Sequence, residues 1–251
     1  MNINHYLSRI GVEEYADTPR DFDLLRELQR AHLLTVPFET LDIARGEPIT
    51  LDLPSLYAKV IDRERGGFCY ELNALFGWLL RQLGYDVRII EGQVRDSSGE
   101  FGSSFDHMAL IVTLDRQYLV DVGFGDFSRE PLPMSGDSRS DVGGIYKLTS
   151  GENGHYFAME MEDNGEWIPT YRFTTTEREL TDFIGMCEYQ QSSPESAFTG
   201  RTICTIATKT GRITLSNDKL ILTENGGKKT ETIDSQRERE RVLGDVFGII
   251  L

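Results

Sequence analysis

Cysteine and histidine are scarce in this chain, three and four respectively in 251 residues. Cys69, Cys187 and Cys204 contain no CxxC pair and are too few for a disulfide framework, which predicts a reducing compartment. No apolar run approaches the roughly 20 residues that a membrane helix needs. The opening stretch MNINHYLSRIGVEEY lacks the basic, apolar and small-residue regions of a signal peptide, so a cytoplasmic protein is expected. Positive charge is short as well: 26 Lys and Arg against 41 Asp and Glu leave a net charge of −15. A field of that sign opposes phosphate backbones and anionic membranes, which excludes generic nucleic-acid or membrane-surface binding. The deficit is uneven: residues 1–90 carry −4, residues 91–200 carry −13, and residues 201–251 carry +2. An anionic small molecule is therefore directed toward the C-terminal segment, where Lys209, Arg212, Lys219, Lys228 and Lys229 lie, rather than excluded.

Hydrophobic residues at 39% place the chain in the globular range, with length enough for one large domain or two to three small ones. The first third has helical periodicity. Thr18-Pro19-Arg20-Asp21 is a candidate N-cap, first-turn proline and acidic N3, followed by Phe22, Leu25 and Leu28, and that helix must end before Pro37. A second helix is expected near Pro54, with Leu56, Tyr57, Val60 and Ile61 buried. Leu72, Leu75, Phe76, Leu79, Leu80 and Leu83 make one apolar stripe of a core helix from about Cys69, closed by Gly84 in the left-handed conformation.

Beyond Gly84 the period changes to two. Strands are expected over 87–90, 107–112, 117–122, 155–162 and 167–173, separated by turn pairs such as Gly143-Gly144 and Asn164-Gly165. The last fifty residues give strands over 203–208, 213–215 and 220–223, a turn at Asn225-Gly226-Gly227, and a final helix opened by Ser235-x-x-Glu238 with Val242, Leu243 and Val246 on one face. The fold class is mixed α+β: a helical bundle, an antiparallel sheet or small barrel, and a small α/β unit.

Chemistry points to three residues. Cys69 follows Arg65-Gly66-Gly67-Phe68 and opens the leucine helix, where the macrodipole and free backbone N–H groups favour a thiolate. The alternative is a small buried hydrophobe, as for most free cysteines. His107 interrupts an otherwise apolar strand, and Asp121 interrupts the next. If Leu114-Asp115-Arg116-Gln117 joins the two as a hairpin, the carboxylate and the imidazole are neighbours, and each accounts for the other's burial. A thiol, a base and an orienting carboxylate in that order form a thiol-enzyme constellation. Zinc ligation by the same three residues lacks any short-spaced ligand pair, so no metal is expected.

The surrounding motifs resemble those of the arylamine N-acetyltransferase family. Arg65-Gly66-Gly67-Phe68-Cys69-Tyr70-Glu71-Leu72-Asn73 fits its Arg-Gly-Gly-x-Cys-x-Glu-x-Asn signature at every fixed position. His107-Met108 and Asp121-Val122-Gly123-Phe124-Gly125 match its histidine strand and Asp-Val-Gly-Phe-Gly segment, and Val36-Pro37-Phe38-Glu39-Thr40-Leu41 is similar to its Pro-Phe-Glu-Asn-Leu run. Ser193-Pro194-Glu195-Ser196-Ala197-Phe198-Thr199 and Thr210-Gly211-Arg212-Ile213-Thr214-Leu215 resemble its C-terminal landmarks.

The resemblance implies three domains with a cysteine-protease-like Cys-His-Asp core: a helical bundle over 1–85, a β-barrel over 86–190 and an α/β lid over 191–251. It implies ping-pong acetyl transfer from acetyl-CoA to an arylamine, arylhydrazine or N-hydroxyarylamine, with Cys69 as nucleophile, His107 as base and acid, and Asp121 as orienter. Phe38 and Phe124 match positions that line the acceptor pocket, and Glu39 and Arg65 match a pair expected to form an ion pair. Thr40 replaces the usual Asn, and the short Gly248-Ile249-Ile250-Leu251 end leaves the coenzyme contacts unassigned. A thiol hydrolase or transglutaminase-like enzyme shares the same Cys, His, Asp order and is the alternative.

Overall fold

The computed structural model describes every residue except Ala16, Asp17 and Asn225. The N-terminal helices pack around the Cys69–Gln82 helix, which is buried on almost every side, not only along the predicted leucine stripe. Cys69, Tyr70, Glu71 and Asn73 are as enclosed as Leu72, Leu75 and Leu79. Gly84 follows it at φ +88°, as the left-handed C-terminal position requires.

Of the two helices expected before Cys69, the first is capped elsewhere and the second forms as expected, with Leu56, Tyr57, Val60 and Ile61 buried. The helix Phe22–Thr35 is capped by Asp21, whose carboxylate accepts from Leu24 N at 2.9 Å. Thr18 and Pro19 therefore lie outside it: an aspartate three residues before a free N–H is as good a cap as threonine, and composition cannot choose between them. The Leu53–Tyr57 helix, capped by Asp52, continues through one π-helical turn, Ala58–Asp62. This turn carries the Lys59 side chain into the interior, where Lys59 is only 4% exposed.

Among the described residues the strands form two antiparallel sheets. The larger has eight strands in the order Leu132–Pro133, Gln117–Val120, His107–Thr113, Asp86–Val94, Trp167–Phe173, Tyr156–Met161, Ile145–Ser150, Arg139–Ser140. Its ends approach each other, the Leu132–Pro133 strand lying against Ile145–Ser150, so the sheet is a nearly closed barrel. The Ile145–Ser150 strand and the two-residue strands lack a long alternating pattern and were not expected. The hairpin through residues 114–117 pairs Leu110 with Val120 and Thr113 with Gln117.

The smaller sheet runs Phe38–Glu39, Ile203–Thr208, Gly211–Ser216, Lys219–Glu224, Gly227–Thr232. The predicted turn there falls partly on Asn225, outside the described residues; Gly226 has φ +75°. One face carries Cys204 and Leu215 against Val242, Leu243 and Phe247 of the Gln236–Phe247 helix, which Ser235 caps. Phe38 and Glu39 pair with Thr205 and Cys204, so the segment before the Cys69–Gln82 helix supplies the first strand of the C-terminal sheet. Cys187 lies in a helix, Ile184–Ser192. That helix runs across the expected division at residue 190, and its mixed polar sequence gives little apolar periodicity to read.

Candidate active site

The chain reaches Cys69 through a tight crossing. Glu39 N donates to Gly67 O at 2.9 Å, and a Cβ on Gly66 would sit 2.0 Å from Pro37 O. Only glycine permits this approach, so the two glycines of the signature fix how the Phe38 strand meets the start of the nucleophile helix. Phe68 N–H donates to Glu71 Oε2 at 3.1 Å, closing the first turn so that Cys69 opens the helix.

His107 begins its strand and Asp121 stands one residue past the end of its own. Continuing the register sets Asp121 opposite Ala109 and His107 opposite Gly123, which makes the pair diagonal neighbours on one face. Asp121 Oδ2 accepts from His107 Nε2 at 2.7 Å. The carboxylate is otherwise saturated: Oδ2 also accepts from Tyr171 OH at 3.0 Å, and Oδ1 accepts from Asn73 Nδ2 and Gly123 N, each at 2.9 Å. Burial alone would raise this acid, but the His107 charge and these donors hold it below the usual carboxylate value. An ionised carboxylate can only accept, so His107 carries its proton on Nε2 and presents Nδ1 as the basic nitrogen.

Burial pushes the Cys69 thiol well above its usual value, outweighing a hydrogen bond from Met108 N–H, and nearby carboxylates push the same way. The helix terminus does not by itself yield the thiolate expected from sequence. The thiol must lose its proton to a partner inside the same enclosure.

Asn73 binds the three elements together. Its Nδ2 donates to Met108 O at 2.6 Å as well as to Asp121, and its Oδ1 accepts from Val122 N at 3.0 Å. Gly123 lies directly on the nucleophile helix, where a Cβ would come within 2.7 Å of Cys69 Cα. Phe124 stands edge-on to His107 at 5.3 Å and stacks on Tyr171 at 5.4 Å. Phe38 is buried 6.3 Å from Phe198, which lies 6.0 Å from Phe68. Two open cavities of about 580 and 630 Å³ lie elsewhere, between residues 43–51 and the Ile184–Ser192 helix and along residues 160–170; neither is lined by Cys69, His107 or Asp121.

Beneath the helix start, Arg65 donates to Glu39 at 2.7 Å, the expected ion pair, but the pair belongs to a larger cluster. Arg65 also meets Asp42 at 2.7 Å, and Lys59 Nζ lies 2.8 Å from Asp42, 2.9 Å from Glu71 and 3.8 Å from Glu39. Three carboxylates thus share two cations. Burial and Glu39 push Glu71 up to about 7 against the attraction of Lys59, whose own pKa is raised. Thr40, in place of the resembled Asn, exchanges hydrogen bonds with the Ile203–Thr208 strand: Thr40 N donates to Ile203 O at 2.9 Å and Thr40 Oγ1 accepts from Ile203 N at 3.0 Å. Sequence reading missed Lys59, Asp42 and Tyr171. Lys59 and Asp42 come from short helical pieces without strong periodicity, while Tyr171 sits among aromatics that look like ordinary core.

The family model described as N-acetyltransferase matches residues 21–251. An arylamine N-acetyltransferase of Mycolicibacterium smegmatis is 34% identical over 262 residues, covering all of this chain and 93% of its own. The structure of the Mycobacterium marinum arylamine N-acetyltransferase in complex with CoA superposes with a TM-score of 0.90 at 31% identity, over 99% of this chain and 93% of that one. An arylamine N-acetyltransferase of Bacillus cereus, described as having a unique Cys-His-Glu catalytic triad, matches with a TM-score of 0.91 at 26% identity over the whole of both chains.

Proposed function

This chain belongs to the arylamine N-acetyltransferase family, and we propose that the acetyl transfer of that family runs here through Cys69, His107 and Asp121. The observation that carries the assignment is the 2.7 Å bond from His107 Nε2 to Asp121 Oδ2, which leaves Nδ1 free to act as base. The Cys69 proton passes to Nδ1, creating thiolate and imidazolium together. The sulfur attacks the acetyl carbon of acetyl-CoA. As the new S–C bond forms and the old one breaks, the imidazolium returns its proton to the departing CoA thiolate. In the second half-reaction the acceptor nitrogen attacks acetyl-Cys69, its proton goes to His107, and Cys69 is released. Asp121 holds the ring and its tautomer throughout. Arylamines, arylhydrazines and N-hydroxyarylamines suit this step because their nitrogen is weakly basic and largely unprotonated near neutrality.

Phe38 and Phe124 are assigned to the acceptor pocket, since Phe124 stands against His107 and Phe38 belongs to the aromatic group with Phe198 and Phe68 at the helix start. For the coenzyme the outer, exposed part of the lid-sheet face opposite the Gln236–Phe247 helix is the best-supported wall. Register sets Arg212, Thr223 and Lys228 in one row, with Thr214, Ile221 and Thr230 in the next and Lys219 beyond. That face carries no carboxylate of its own, an exception in so acidic a chain, and Arg212 reaches Asp126 at 2.8 Å near Phe124. The division into bundle, barrel and lid and a cytoplasmic location complete the reading. No helix among the described residues is long and apolar enough to cross a membrane.

A panel of arylamines and arylhydrazines assayed by CoA release tests it. Parallel reciprocal plots with acceptor-dependent turnover are expected; CoA release independent of every acceptor, with peptide-bond cleavage, would identify the thiol hydrolase instead.

A further inference from the structure

A buried cation without a counter-charge stands where the Phe22–Thr35 helix, the segment following Asp121 and the C-terminal sheet meet. Arg129 is 6% exposed. Its Nη1 donates to Thr208 O and its Nη2 to Gly211 O, which straps the hairpin of Ile203–Thr208 and Gly211–Ser216 to the barrel. Both acceptors are neutral carbonyls, and the buried Nε–H has no acceptor at all. Among the described residues no carboxylate lies within 4.0 Å of the guanidinium. The acids of this region are engaged elsewhere. Asp141 Oδ2 accepts from the Arg129 backbone N–H at 2.7 Å and its Oδ1 from Gly143 N at 2.6 Å, while Asp126 accepts from Arg212 Nε at 2.8 Å. A guanidinium withdrawn from water without an opposite charge is costly, and an anion brought to it removes that cost.

The same side chain lines a cavity of about 150 Å³. Arg30, on the helix, and Lys209, at the turn of the hairpin, line it too, and among the described residues neither has an ion-pair partner. Three separate elements thus each present one cation to one space, in a chain that carries −15 overall. Asp141 and Glu130 also line the cavity. Both Asp141 oxygens are taken by backbone N–H groups, which leaves Glu130 as the opposing charge. The walls are tied together: Gln29 Nε2, beside Arg30, donates to Ser128 O at 3.3 Å, and Ser128 Oγ donates to Glu130 O at 2.9 Å. At roughly 30 Å³ per water the space equals about five waters, room for a tetrahedral oxyanion with part of its hydration.

We propose that this cavity is a phosphate site, in which a phosphate group, free or carried as a monoester, neutralises Arg129, Arg30 and Lys209 and ties helix, barrel and C-terminal hairpin together. Arginine suits the task because its planar fork offers several N–H groups to the oxygens of one phosphate, while Lys209 acts as a point charge. None of Cys69, His107 and Asp121 lines the cavity, so the inference stands apart from the acetyl transfer proposed above.

The test titrates inorganic phosphate into the parent chain at fixed ionic strength and follows Tm by scanning fluorimetry and the phosphorus NMR linewidth. A saturable rise in Tm with a low-millimolar midpoint is expected. Arg30→Gln and Lys209→Gln alter only exposed side chains, and each should weaken binding about three- to tenfold. Glu130→Gln removes the opposing charge and should tighten binding about two- to threefold. Arg129→Met should abolish the response; if it loosens the hairpin, the two cation-to-Gln variants carry the test. No saturable rise in the parent overturns the proposal. So does one midpoint shared by the parent, Arg30→Gln and Lys209→Gln, which would mean that phosphate acts by exclusion from the surface at large. CoA and dephospho-CoA, which lacks the ribose phosphate, separate the sources. Displacement of phosphate by CoA alone assigns the site to the coenzyme's monoester, and displacement by neither assigns it to the free ion. Displacement by both would place the phosphate on the coenzyme's diphosphate wall and overturn the proposal.

Discussion

Tyr171 illustrates how much a single hydroxyl contributes to the site. It is fully buried, its own ionisation is suppressed by burial and by Asp121, and its proton is aimed at the oxygen that also binds His107. Tyr171→Phe should preserve the packing against Phe124 and remove one charge-assisted bond. A loss of about ten- to a hundredfold in kcat/KM is expected, in line with roughly 1.5–3 kcal/mol for a hydrogen bond to a charged group, with little change in Tm. Gly123→Ala is harsher. Its Cβ would meet Asn73 Nδ2 at 2.6 Å and Cys69 Cα at 2.7 Å, so helix and strand must separate. A stability loss of about 1–3 kcal/mol is expected, measurable by urea denaturation, with acetyl transfer falling further than stability does. His107 and Asp121 were legible because a polar residue in an apolar strand demands a partner. Tyr171 was not, because an aromatic in a strand needs no explanation.

The helix start is the element on which the chemistry stands, and a buried ionic cluster supports it. Three carboxylates against two cations leave one charge uncompensated, and Glu71 is the group that takes up a proton. In the folded chain Glu71 titrates at about 7 instead of the ordinary 4.5. The native state thus holds a proton that the unfolded chain has released, and Glu71's contribution to stability declines as pH rises between those values. Glu71→Gln, a permanent mimic of the protonated acid, should remove that decline; a chevron or denaturant series at several pH values reads it directly. Lys59→Met should cost about 3–5 kcal/mol, because it strands buried carboxylates beside Arg65 alone. A Lys59→Met variant as stable as the parent would mean that the cluster is wet. The sequence announced the helix itself through its leucines and the Glu39–Arg65 pair through resemblance. It could not announce the π-turn that swings Lys59 inward, since that depends on tertiary packing, not on local propensity.

Over the whole molecule the charge gradient acquires a place in space. The excess acid lies on the barrel segment, while the sheet face opposite the Gln236–Phe247 helix exposes Lys219 and Lys228 among hydroxyl side chains, with Arg212 buried at its inner edge. Charge reversal at the exposed positions, Lys219→Glu or Lys228→Glu, should raise KM for acetyl-CoA several-fold at low salt and leave kcat unchanged. The effect should shrink as ionic strength rises toward a Debye length of about 3 Å near 1 M. Equal KM values in parent and variants at low salt would remove these residues from the coenzyme wall. The switch from helices to strands was legible from the change of period at Gly84. The crossing of Phe38–Glu39 into the C-terminal sheet was not, because a two-residue strand has no pattern and its partner lies about 165 residues away. The central claim is the covalent step at Cys69. Intact-protein mass spectrometry after brief incubation with acetyl-CoA should find one added acetyl group, mapped to the Cys69 peptide and discharged by an arylamine. Undiminished acetylation in Cys69→Ala, or a label that no arylamine removes, would contradict the account.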